Sequence, residues 1–264
     1  MSSSICLVTG ASSGIGEAFA EALATRGHAL VLVARRADRL ATLADRLQQD
    51  HGVAVECLTA DLAEDASLAR VEARLAQGDI AMLVNNAGVG DIGLFADMPR
   101  ATHQRMIAVN VTALTCLAHA ATQAMLANGG GIIINVASGF AYDFMPGAAV
   151  YAATKAYVAQ FTEVLDAELG ERGIQMQALV PGLTRTELGG AADSGLFDLF
   201  PPHAIMSARA VAEASLSALA LGELVCIPRL EDHAHFTQAR AAMRAVGRDP
   251  DHNRVATRYG VDLT

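Results

Sequence analysis

The sequence contains a single lysine. Lys155 stands among 19 basic residues, the other 18 being arginine, in a chain of 264 residues. A coding bias that turns interchangeable surface lysines into arginine accounts for the skew but not for the survivor. An ammonium is a compact charge with three donors, whereas a guanidinium is a flat fork that keeps its proton, so the retained lysine marks a position where the two are not equivalent. Positive charge is scarce overall: 28 acidic residues leave a formal charge of −9, which repels nucleic acid and anionic membrane unless a basic patch is segregated. Neither is expected as a partner. With only 18% charged residues, 52% hydrophobic residues and 7 prolines, the chain is too apolar to be disordered, and its length suits one large α/β domain.

Paired cysteines are also lacking. Cys6, Cys57, Cys116 and Cys226 are scattered, with no C-x-x-C spacing, which excludes a disulfide framework or a zinc ribbon and predicts small buried hydrophobes in a reducing compartment. His233 and His235 have no third ligand nearby in sequence, so no metal is expected. The first residues carry no basic region or cleavage site, which argues against a signal peptide and for the cytoplasm. Between Met106 and Tyr142 there is no Asp, Glu, Lys or Arg, but Asn110, Thr112, His119, Gln123, Asn128 and three glycines interrupt the run. A buried helix, loop and strand explain it better than a membrane span.

What is present is alternation. Short β-branched runs near 4–9, 29–34, 53–58, 80–84, 131–136, 174–180 and 223–227 alternate with stretches of helical period near 14–26, 37–50, 64–77, 101–127, 150–171 and 208–221. That pattern predicts βαβ units in a doubly wound parallel α/β sheet of about seven strands with helices on both faces. No linker or repeat divides it. A single domain is expected over 1–264, with a substrate loop near 187–207 and a solvated helix and tail over 228–264. Helices 101–127 and 150–171 have few charges on any face, which predicts a homodimer or homotetramer that covers them.

The first strand runs into Thr9-Gly10-Ala11-Ser12-Ser13-Gly14-Ile15-Gly16 and then into a helix. Such a turn offers backbone N–H groups and a helix N-terminus to a pyrophosphate. At the end of the second strand an acid reads a ribose 2′-hydroxyl, whereas arginine accommodates a 2′-phosphate. Here the strand ends Arg35-Arg36, which predicts NADP(H), with Arg35 as the main reader and Arg36 assisting.

Tyr151 and Lys155 lie four apart in a helical segment and so share a face. The ordinary phenol titrates near ~10, and a nearby cation with a helix N-terminus is expected to lower that value, making the pair a general acid/base. Strand 131–136 delivers Ser138 to its carboxyl end, where open α/β sheets put their ligands.

Thr9 to Gly16, Asn85-Asn86-Ala87-Gly88, Asn110, Ser138, Tyr151-Ala-Ala-Thr-Lys155 and Pro181-Gly182 occur in an order and spacing that resembles the short-chain dehydrogenase/reductase family, across about residues 5–227. The resemblance implies a tetrad of Asn110, Ser138, Tyr151 and Lys155. Tyr151 would be the acid/base, Ser138 would orient the substrate oxygen, Lys155 would bind ribose and lower the tyrosine pKa, and Asn110 would hold a relay water. It implies cofactor contacts from Gly10, Ser12, Ser13, Gly14, Ile15 and Gly16, from Asp61 and Leu62 at the adenine, from Asn86, Ala87 and Gly88, and from Pro181, Gly182, Thr184 and Thr186 at the nicotinamide end. Two departures stand out. Relatives that prefer NADP often carry a basic residue where this chain has Ser13, and the glycine pair of acyl-carrier ketoreductases is replaced by Pro228-Arg229-Leu230.

Structural roles stay open for several of these positions. Asn85 can tie elements together, Asp61 can cap the turn after the third strand, and Thr186 can cap the next segment. For substrate, Phe140, Tyr142, Phe144, Leu188 and Phe197, with Met145, Leu196, Leu199 and Phe200, predict an apolar pocket for a bulky ketone or aldehyde, hinged at Gly189-Gly190. A non-catalytic NADP(H)-binding sensor or scaffold, or an epimerase or dehydratase of the same fold, are the alternatives. A sensor has no use for an acid/base at 151, and the others commonly need a larger substrate domain.

Overall fold

The computed structural model describes residues 4–188, 196–247, 255 and 257–261. They fall into two compact units, residues 1–228 and 229–264. The first holds seven strands: β1 (Ile5–Thr9), β2 (Ala29–Ala34), β3 (Val55–Thr59), β4 (Ile80–Asn85), β5 (Gly131–Val136), β6 (Ile174–Leu179) and β7 (Val225–Cys226). They form one sheet in the order β3-β2-β1-β4-β5-β6-β7, every pair parallel. The order reverses between β1 and β4. In a doubly wound sheet that reversal opens the crevice where a ligand binds, outside the carboxyl ends of the strands.

Because strand side chains alternate between faces, Cys6 and Val8 of β1 point into one apolar layer and Leu7 into the other. Helices α1 (Gly14–Thr25), α2 (Ala37–His51) and α7 (Ala208–Ala220) cover the first layer with Phe19, Leu23, Leu40, Leu47 and Val211. Helices α3 (Asp65–Leu75), α5 (Leu114–Ala127) and α6 (Ala149–Leu169) cover the second with Leu68, Val71, Leu117, Met125 and Leu169. Each fully buried leucine of this kind contributes about 1.5–3 kcal/mol. The second unit carries α8 (His233–Gly247).

Two expectations need correction. The segment 101–127 is not one regular helix: α4 (Arg100–Ile107) passes through a π-helical turn, Ala108–Ala113, into α5. An apolar pattern continuous through the segment cannot reveal a one-residue widening, which the tertiary contacts of Asn110 hold in place. Arg100–Ala127 is long and apolar enough to cross a membrane by length and composition, yet Leu114, Leu117, Ala118, Ala121 and Met125 are buried in the second layer. Cysteine burial also differs. Cys6 and Cys226 are buried, and desolvation pushes their thiols up to about 12, but Cys57 is exposed because β3 is an edge strand.

Candidate active site

The turn after β1 is built around absent side chains. Gly10 and Gly14 adopt φ of +67° and +60°, which favour glycine. At Gly16 a Cβ would stand 2.3 Å from the Gly10 carbonyl oxygen and 2.6 Å from Asn86 Nδ2, so helix and turn meet too closely for any side chain. Ser13, the N-cap of α1, makes no side-chain cap bond, which leaves the first backbone N–H groups of the helix for an anion. Thr9 fixes the neighbouring loop: its Oγ1 accepts from the N–H groups of Asn86 and Ala87 at 2.9 Å each, and Asn86 Nδ2 donates to the Thr9 carbonyl at 2.8 Å. These dimensions fit a pyrophosphate cradle. Replacing Gly16 by alanine should overpack it by about 1–3 kcal/mol, lowering Tm by roughly 2–12 °C for a chain of this size. Calorimetry showing an unchanged Tm would mean the turn has room to spare.

Arg35 is exposed, and its charge is felt at Asp61. Arg36 is the one tied into the turn. Its Nε and Nη2 donate to Ser12 Oγ at 3.1 and 2.9 Å, and Nη2 donates to Ser13 Oγ at 2.8 Å. A guanidinium from the end of β2 thus reaches the position where the chain itself carries only a serine. Glu187 closes the cluster, accepting from Arg36 Nη1 at 2.6 Å and from Arg39 Nη1 at 2.7 and 2.9 Å. Nothing in the sequence marked Glu187. Arg39, one helical turn beyond Arg36, could have been read from its spacing.

Tyr151 and Lys155 sit on α6, 8% and 4% exposed. The Lys155 ammonium donates to the Val136 carbonyl at 2.8 Å and lies 5.8 Å from the Tyr151 ring centroid. Gly88 packs between Asn110 and Lys155: a Cβ there would be 3.4 Å from both Asn110 Oδ1 and Lys155 Nζ. Asn110, on the π-helical turn, accepts from Val89 N–H at 2.9 Å, and its Nδ2 donates to the Val89 carbonyl at 2.8 Å and to Thr154 Oγ1 at 3.0 Å. Ser138 arrives from β5 and hydrogen-bonds the Tyr151 phenol, while Phe140 meets the tyrosine edge-on at 5.9 Å. The four expected residues come together. Their electrostatics differ from the expectation: burial holds the phenol above its ordinary value despite the Ser138 hydrogen bond. Burial also pulls Lys155 down to about 8. Desolvation outweighs the pull of the helix N-terminus and of a lysine that is itself only weakly held in its charged form.

Other positions divide. Burial works to raise the Asp61 carboxyl, but Arg105 Nη2, at 3.0 and 2.8 Å, and the Ala63 N–H, at 3.0 Å, outweigh it and hold it below the usual carboxylate range. The Ala63 N–H bond is a turn-capping contact for Asp61, and Leu62 is buried beside it. Asn85 ties β4 to α5 through the Leu114 carbonyl at 2.9 Å. Pro181 accepts from Gly139 N–H at 2.9 Å, Thr184 bonds the Gly182 carbonyl, and Thr186 Cγ2 lies 3.0 Å from where a Gly14 Cβ would be. Ile15 packs against the first apolar layer.

Among substrate candidates, Leu188 is brought to Tyr151: a Cβ on Gly90 would meet the tyrosine ring at 2.9 Å and Leu188 Cδ2 at 3.5 Å. Phe144 is 83% exposed, and Tyr142 donates to Glu163 at 3.3 Å. Phe197 is not brought to the site by any described contact: it is buried, with the Arg185 guanidinium 5.0 Å over its ring. Gly189 and Gly190 lie outside the described residues, as do the side chains of Leu196 and Leu199.

A glycine-rich turn in the first βα unit, with Ser138 beside a buried tyrosine and lysine, narrows the family, and a family model described as short chain dehydrogenase matches residues 4–195. The chain belongs to the short-chain dehydrogenase family. Its relatives are oxidoreductases that bind a nicotinamide cofactor. A short-chain dehydrogenase from Sphingobium yanoikuyae in complex with NADPH is 40% identical, with a TM-score of 0.91 over 97% of this chain and 100% of that one. The bulky-bulky ketone specific alcohol dehydrogenase from Comamonas testosteroni is 34% identical, with a TM-score of 0.88 over 98% and 99%. An uncharacterized oxidoreductase from Staphylococcus saprophyticus is 32% identical over 81% of this chain and 90% of its own. Within this short-chain dehydrogenase, motif reading missed Thr154, the buried partner of Asn110, and the Arg105 that engages Asp61. Neither residue type carries a signal by itself.

Proposed function

We propose that the protein is an NADP(H)-dependent carbonyl reductase and alcohol dehydrogenase acting on a bulky apolar ketone or the matching secondary alcohol. The convergence of Ser138, Tyr151 and Lys155 beside Asn110 carries the catalytic reading. Gly10, Ser12, Ser13, Gly14, Gly16 and Thr186 would hold the pyrophosphate side of the cofactor, Arg36 and Arg35 its 2′-phosphate, and Lys155 its nicotinamide ribose. The bound nicotinamide supplies or accepts the hydride. Ser138 aligns the carbonyl oxygen, and Tyr151 gives it a proton. Because burial keeps the phenol protonated well above neutrality, the acid form needed for reduction is the resting form. Lys155 below it, charged up to about pH 8, favours the phenolate that remains, and Asn110 stands in line to return the proton through solvent.

Substrate character is read from the rim. Ile92, Leu94, Phe95, Phe144, Met145 and Leu188 expose between 38% and 83% of their surface. The loops bearing the first and second groups are joined by the Gly93 N–H to the Gly147 carbonyl at 3.0 Å. An apolar patch of this kind beside a polar catalytic centre suits a large apolar ligand, and the ketone specificity named for the Comamonas relative supports it. Exposed Ile107, Tyr157 and Val164 on α4 and α6 likewise support a homodimer or homotetramer.

Dissociation constants for NADPH and NADH test the cofactor reading. Replacing Arg36 by alanine should weaken NADPH by about 10- to 100-fold, the value of one charge-assisted contact, with NADH changed little. Arg35→Asp should act in the same direction. Equal losses for both cofactors would refute the assignment. A panel of ketones graded from acetone-sized to diaryl, followed by NADPH absorbance, tests the substrate class; preference for the smallest members would overturn it.

A further inference from the structure

Arg36, just beyond β2, and Arg39, on the first turn of α2, are already occupied by an anion of the chain's own. Glu187 lies 151 residues from Arg36 and 148 from Arg39 in sequence, yet its carboxylate bridges both, Oε2 to Arg36 and both oxygens to Arg39. The same Arg36 guanidinium holds Ser12 and Ser13 of the phosphate turn. Hydrogen bonds from Arg36 and Arg39 hold Glu187 below the usual carboxylate range, so it is an anion across the neutral range. All three side chains remain roughly half exposed, between 39% and 46%. Ion pairs that wet are each worth at most about 1 kcal/mol, whereas a phosphate dianion offers the fork of arginine a bidentate, more highly charged partner.

We infer that Glu187 is a cofactor-discriminating residue: a displaceable intramolecular carboxylate that competes with the 2′-phosphate of NADP(H) for Arg36 and Arg39. The inference rests on the cofactor reading above and adds to it. An empty pair of arginines one helical turn apart would repel each other; Glu187 keeps them together and aimed at the turn. It also lowers the net positive charge that a 2′-phosphate meets, so NADPH binds more weakly than the arginines alone would allow, while NADH, with a neutral 2′-hydroxyl, does not feel the competition. The neighbouring carboxylates do not substitute for it: Glu17 is engaged by Arg46 at 2.9 Å, and Asp38 faces Arg39 only through its charge.

Direct binding to the unmodified chain and to Glu187→Gln and Arg36→Ala variants, by calorimetry with 2′,5′-ADP, ADP, NADPH and NADH, decides it without reference to turnover. Glu187→Gln should tighten 2′,5′-ADP and NADPH by about three- to tenfold, the value of the exposed pairs released, and leave ADP and NADH within about twofold. Unchanged or weakened 2′,5′-ADP binding in Glu187→Gln, with Arg36→Ala still selectively losing NADPH, would overturn the role of Glu187 and leave the cofactor reading standing. Loss of NADPH and NADH alike in Arg36→Ala would overturn both. Equal thermal midpoints of the free proteins confirm that the fold is not the variable.

Discussion

Exchanging Tyr151 for phenylalanine is expected to cut turnover by about 10²–10⁴-fold, the usual contribution of a positioned proton donor, while NADPH affinity and fold are kept. The ring volume is conserved, so the edge-on contact with Phe140 and the burial at 8% exposure survive. Only the hydroxyl goes, and with it the hydrogen bond to Ser138. Stopped-flow measurement of a single turnover, with binding measured separately, checks this. Residual activity within tenfold of the unmodified enzyme would remove Tyr151 from the role of proton donor and return weight to a reaction that needs none.

Replacing Lys155 by arginine should cost a similar factor for a different reason. The ammonium is 4% exposed, bonded to the Val136 carbonyl and 3.4 Å from where a Cβ on Gly88 would be, so a broader planar fork is expected to be crowded there. Charge is retained and position is lost, so turnover should fall by about 10²–10³-fold with Tm lowered by a few degrees from overpacking. The pH profile supplies an independent reading. In the unmodified enzyme the ammonium loses its proton as pH rises through about 8, and the reductive rate should fall along that limb. A guanidinium has no ionisation there, so whatever activity remains in Lys155→Arg should be flat across it. Near-native turnover with an unchanged limb would make the solitary lysine an accident of composition.

The sheet was legible because strands read locally: β2 and β5 fall on the apolar runs at 29–34 and 131–136, and alternation of strand with helix admits few parallel topologies. The candidate cluster was legible for a related reason. Tyr151 and Lys155 share one helix face, and Ser138 ends a strand that the topology places beside it. What escaped the sequence depends on contacts between distant segments. The Arg36–Glu187–Arg39 cluster joins positions about 150 apart. The widened turn at Asn110 is held by Val89 and Thr154. The upward shift of the phenol comes from burial by many elements at once, and no local spacing predicts it. Phe197, read from the sequence as ligand-facing, is buried with the Arg185 guanidinium over its ring, another contact that its own neighbours in sequence do not announce.

The solitary lysine has a practical corollary in protein chemistry. Arginine fills every other basic position, so the outer surface presents no side-chain amine to acylating or reductively alkylating reagents, which on an ordinary protein scatter over many sites. The one side-chain amine is Lys155, beside Tyr151 in the candidate site, and a pKa of about 8 leaves more of it as the nucleophilic free base near neutrality than an ordinary lysine would offer. Side-chain amine labelling therefore reports on one position, and because Lys155 is 4% exposed its rate reports how far the surrounding segments and any ligand open or shield it.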